Sequence, residues 1–199
     1  MLLEALFLGI IVGKLRGGKF IRLGHLAIKV PYLAYTAFIL WLVTSIMITR
    51  GHDFFIQYRM YLYICSFGFL FLGLFFNLHH RPAWLILIGS ILNFAAITLN
   101  SGSMPVDLSV LQNSGLNNML TSINSGVLPN YISIEEARSF TVYLGKYIGL
   151  PAWYPLRDVL SIGDIFVSIG LFLLIESMMV SSISRRTIKT IKFDYKKGM

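Results

Sequence analysis

Apolar runs of membrane-crossing length, each with few charges, leave this chain few ways to fold. Four of them, about 26–49, 54–77, 83–99 and 159–180, each come close to the roughly 20 residues a helix needs to span a bilayer. Backbone in hydrocarbon must satisfy its own hydrogen bonds, so each run is expected to be a helix. A shorter run, 2–13, precedes them. No Lys or Arg stands before it and the basic residues come after, the reverse of a cleavable signal, so it reads as a retained first helix. Only 13% of residues are charged and 56% are hydrophobic, against about a quarter charged in a soluble domain. The expected fold is an all-α membrane protein of about five transmembrane helices, in one domain.

The polar residues have an order of their own. Segment 100–158 is the only long interval between apolar runs, and it carries helix signals. Pro105 and Asp107 can start a short helix over 108–114, with Gly115 as its stop. Ser133 and Glu136 have capping-box spacing. Behind them Ile134, Ala137, Phe140, Leu144 and Ile148 recur at helical intervals, which predicts an amphipathic helix over 134–148. Gly9 and Gly13 in the first run would let another helix approach. Tyr58, Tyr61 and Tyr63 have the placement of interfacial aromatics.

Lysine and arginine set the orientation. Lys14, Arg16, Lys19, Arg22, Lys29, Arg81 and the tail residues Arg185, Arg186, Lys189, Lys192, Lys196 and Lys197 fall on one side. They are twelve of the seventeen basic residues. That side is expected to be cytoplasmic, giving an extracytoplasmic N-terminus, an extracytoplasmic segment 100–158 and a basic cytoplasmic tail, 183–199. The basic residues from Lys14 to Lys29 and those of the tail fit anionic lipid better than nucleic acid. The expected site is a cytoplasmic membrane, crossed several times, with the bilayer and another membrane protein as partners.

Candidate functional residues cluster at the two ends of the long segment. Asp164 lies near the start of the last run, with Ser161 and Ser168 on its face. An ionisable residue there is a functional candidate, although capping of the helix start explains it as well. Asn93 and Asn100, two turns apart, share a face that would turn inward, toward Asp164. Gly102 suits a positive φ, Pro105 stiffens the exit, and Asp107, Asp158 and Gly163 complete the set. Glu176 is expected to reach Arg185 or Arg186. His79 and His80 lack further ligands at metal-site spacing, so no metal or cofactor is implied. No catalytic constellation is recognisable.

The run Asn100-x-Gly102-x-Met104-Pro105-Val106, a Leu144-Gly145 motif and Ser161-x-Gly163-Asp164 leading into a span with Gly170 together resemble a family of bacterial membrane proteins, DUF5317. The resemblance covers most of the chain and implies an architecture but no reaction. Two positions depart from the family's pattern: Ser101 stands where a second glycine is expected, and Lys146 where an acid is. The leading functional expectation is a binding or accessory membrane module working at its extracytoplasmic face. A small transporter or transporter subunit with a polar path near Asp164 is the alternative. A membrane enzyme acting on lipid or peptide comes third.

Overall fold

A computed structural model describes residues 1–24, 28–151 and 153–180. The tail with Arg185, Arg186, Lys189, Lys192, Lys196 and Lys197 lies outside the described residues. Four helices are long and apolar enough to cross a membrane: α3 (Pro31–Thr49), α4 (Asp53–Phe75), α5 (Arg81–Leu99) and α8 (Ile162–Val180). The first apolar run forms α1 (Leu2–Leu15), a helix of 14 residues, or about 21 Å. That is short of the roughly 30 Å hydrocarbon layer, so four long helices and one short one replace the five expected. A single turn, α2 (Ile21–Gly24), follows α1.

These helices pack in series, α1 on α8, α8 on α5, α5 on α4 and α4 on α3. Small residues set the closest approach. A Cβ on Gly163 would run into the Asn93 Oδ1 and lie 2.7 Å from the Gly89 carbonyl oxygen, so α5 and α8 meet nearly backbone to backbone. Gly9 and Gly13 of α1 both face α8. Outward, Phe7, Tyr35, Ile39, Phe75 and Ile91 are exposed, as side chains against lipid are.

The turn before α3 is tied to the end of α4 by Asn77. Its amide donates to the Lys29 and Gly73 carbonyls, and its oxygen accepts from the Lys29 N–H. At this same end, residues 14–24 wrap the last turn of α8. Arg22 donates to the Met179 and Val180 carbonyls, and the Lys19 N–H donates to the Met179 carbonyl as well. Arg16 pairs with the buried Glu176 carboxylate. Glu176 therefore finds its cation in the first basic stretch; Arg185 and Arg186, expected to supply it, fall outside the described residues.

Residues 100–160 form a cap on the opposite end, and the cap is less helical than its sequence suggests. It holds β1 (Met104–Val106), α6 (Leu108–Asn113), α7 (Asn117–Asn124), β2 (Tyr131–Ser133), a 3-10 helix at Ser139–Leu144, β3 (Ile148–Gly149) and β4 (Val159–Leu160). β1 pairs in parallel with β2, Pro105 opposite Ile132, and Val106 bridges on its other side to Lys146. β3 pairs antiparallel with β4. Val106, Leu111 and Val159 form a small core beneath α6 and α7.

The amphipathic helix expected over 134–148 does not form. The Ile134 N–H donates to the Val106 carbonyl, and the Lys146 backbone is held by Pro105 of β1 and by Asp107 just after it. Both ends of the stretch are thus committed to the sheet. Ser133 caps only one turn, its Oγ accepting from the Glu135 N–H at 3.3 Å. The short helix after Asp107 does form, with the Asp107 carboxylate accepting from the Ser109 and Val110 N–H groups.

Candidate functional site

The start of α8 is a reciprocal cap. The Asp164 N–H donates to Ser161 Oγ at 2.9 Å, while the Asp164 carboxylate accepts from the Ser161 N–H at 3.1 Å. This is the capping-box arrangement with Asp at its third position. The cap also reaches across to other elements. Asn93 on α5 donates its amide to Asp164 Oδ1 at 2.9 Å and accepts from Ser161 Oγ at 2.7 Å. From the cap, the Lys146 ammonium donates to Asp164 Oδ2 at 2.7 Å and to the Val159 carbonyl at 3.0 Å. Three separated stretches thus meet at one carboxylate.

Lys146 can arrive there because its backbone is strapped to β1: its N–H donates to the Pro105 carbonyl and its own carbonyl accepts from Asp107. Burial opposes the ammonium's charge, yet the Asp164 carboxylate, with Tyr131 and Asp158 nearby, holds its pKa above the ordinary value of 10.5. Burial raises the Tyr131 phenol. The Lys146 and Asp164 side chains are 16% and 24% exposed, so the pair is left open on one side.

That side is a cavity of about 790 Å³. Its polar end carries Asn93, Lys146, Asp158 and Asp164, faced by Tyr63, Asn130 and Tyr131. Its deeper walls come from Ala37, Phe67, Ile86, Ser90, Val167 and Ser168 on four of the helices. It falls within the range of roughly 300–1,000 Å³ typical of small-molecule sites, and has the usual few polar groups among apolar ones.

The expected residues divide between this cavity and the scaffold. Asn93, Asp158 and Asp164 line it, as does Gly102 at its rim. Ser161 lies fully buried behind it, and Gly163 is the crossing point against α5. Asn100 does not join Asp164. It closes the end of α5, donating to the Ala96 carbonyl and Thr141 Oγ1 and accepting from the Arg138 N–H. Gly102 has φ +87° and sits against the Arg59 side chain and the Met60 backbone, and Ser101 before it shares the left-handed region at φ 55°. Pro105 is buried in β1. Asp107 caps α6, and the Ser109 hydroxyl and the N–H bonds it accepts keep its pKa below the ordinary carboxylate value.

Sequence reasoning missed Tyr63, Asn130 and Tyr131. Tyr63 reads as an interfacial aromatic beside Tyr58 and Tyr61; in the structure those two are exposed while Tyr63 is buried. Lys146 was visible only as a departure from the family's pattern. Among the described residues no three His, Cys, Asp or Glu side chains gather as a metal site would need.

Comparison with known proteins decides the family. A model of a family of unknown function, DUF5317, matches residues 25–176. The chain belongs to that family. No curated protein and no solved structure matches it. Both the Asn100–Val106 run and the Ser161–Asp164 run fall within the matched residues, and they are the two ends through which the cap joins α5 and α8. With four long apolar helices, this DUF5317 chain is a membrane protein.

Proposed function

We propose that this DUF5317 protein is a membrane binding module that holds a ligand in the cavity under its cap. One observation carries the reading: the Lys146–Asp164–Asn93 cluster lies at the wall of a 790 Å³ space rather than within a closed core. A cluster made only to fasten the cap would be packed over on all sides. The capped end is taken as the extracytoplasmic, working face of a bacterial membrane protein, supported by the excess of Lys and Arg at the opposite end. The basic residues between Lys14 and Lys29 are proposed to meet anionic lipid there.

Transport draws less support. Glu176 lies near the far end of α8, paired with Arg16, and the cavity's lining on α8 stops at Leu171. The test is native mass spectrometry of the full chain, extracted gently from its own membrane. A retained small molecule is expected, and Ala37→Phe, which fills the cavity, should release it. A protein that carries nothing, or keeps its passenger in the filled variant, would overturn the binding reading.

A further inference from the structure

We infer that the cavity takes an acyl-chain lipid with an electrically neutral polar headgroup, admitted sideways between α1 and α3. The inference rests on the binding reading above and names its ligand. Its first support is the packing order. α1 and α3 are the two ends of the helix series and share no extensive contact, yet both wall the cavity. The lining residues at this gap, Leu2 and Leu3 on α1 and Phe38 and Trp41 on α3, are 42–64% exposed. They lie on helices whose surroundings are hydrocarbon, so a molecule entering through the gap comes from the bilayer.

The second support is the pattern of polar groups. Cations and anions balance around the roof: Lys146 and Arg157 face Asp158 and Asp164, and the Met1 amine is neutralised by Glu4. A balanced lining offers an anionic headgroup no spare counter-charge to offset its desolvation, which disfavours it against a headgroup of zero net charge. It does offer hydrogen bonds. Lys146 has three donors and uses two among the described residues. Deeper in, Ser168 Oγ is buried with no hydrogen-bond partner among the described residues, on a residue 5% exposed that lines the cavity. A buried hydroxyl without a partner costs free energy unless a ligand supplies one, and the ester carbonyl of an acyl lipid is a suitable acceptor.

The test uses Trp41 as reporter. In the full chain carrying Trp84→Phe and Trp153→Phe, Trp41 is the sole tryptophan. Phosphatidylethanolamine and phosphatidylglycerol, each with brominated acyl chains, are titrated into detergent micelles holding the protein. Quenching should saturate, with phosphatidylethanolamine reaching half-effect at a mole fraction about threefold lower. Ala37→Phe on α3 and Ser168→Leu on α8 should each remove the saturable part, with a melting scan confirming that the variant is folded. Quenching that rises linearly with both lipids, or equal or stronger quenching by phosphatidylglycerol, would overturn the inference. The headgroup comparison needs no variant, so it decides even if both substitutions unfold the protein. A passenger in native mass spectra that is not a lipid would sink this inference and leave the binding module standing.

Discussion

Asp164 satisfies three donors from three parts of the chain, so its removal is felt at all of them. Asp164→Asn keeps the shape but leaves the Lys146 ammonium largely buried without the carboxylate it is bonded to. It should cost about 3 kcal/mol, the low end for a broken buried pair because one side meets the cavity. Lys146→Met added to Asp164→Asn should recover most of that loss, because it removes the stranded charge; melting of the four proteins of this double-mutant cycle measures the coupling. The pH dependence has a definite sign. A lysine whose pKa is raised by folding stabilises the protein fully below its ordinary value of 10.5, and that contribution fades as pH climbs through the higher folded value. Wild type should therefore show an alkaline drop in melting temperature above about pH 10.5 that Lys146→Met lacks. Asp164 and Asn93 were legible because a polar group in an apolar run demands a partner. Lys146 was not, since its place beside them depends on a strand pairing 40 residues upstream, at Pro105 and Val106.

Helix crossings show the same division between local and distant causes. The four long helices follow from apolar length alone, and the α6 start follows from Asp107 within three residues of the groups it caps. The failed helix over 134–148 has equally good local signals, but its backbone N–H and C=O groups are claimed by β1 from far along the chain. Local propensity is a weak prior where a strand partner is available. The α5–α8 crossing gives an element-scale prediction. Gly163→Ala would press a methyl group into both the Asn93 side chain and the Gly89 backbone. A side chain can swing aside; a backbone carbonyl in a helix cannot. The helices must part, at a cost of about 1–3 kcal/mol, and Asn93 should lose its bond to Asp164. Melting of Gly163→Ala against Gly68→Ala, where a Cβ meets open space, isolates the crossing from the general effect of removing a glycine.

Across the whole molecule, the two ends are chemically unlike, and the proposed orientation rests on that difference. One end gathers Lys14, Arg16, Lys19, Arg22, Lys29 and Arg81 around the close of α8, while the other carries the cap. Arg16 and Arg22 are engaged with Glu176 and with α8 carbonyls, which lowers what they can offer to lipid. It does not lower what they contribute to insertion, because the topological bias counts Lys and Arg and is little affected by acidic residues. In a background with Cys65→Ser, the chain's only cysteine removed, a cysteine at the exposed Asn124 on the cap and one at the exposed His79 between α4 and α5 report the two faces. A membrane-impermeant maleimide should label Asn124→Cys in intact cells and His79→Cys only after permeabilisation. The reverse pattern would put the cap and the cavity's polar end in the cytoplasm, so any headgroup bound there would come from the inner leaflet.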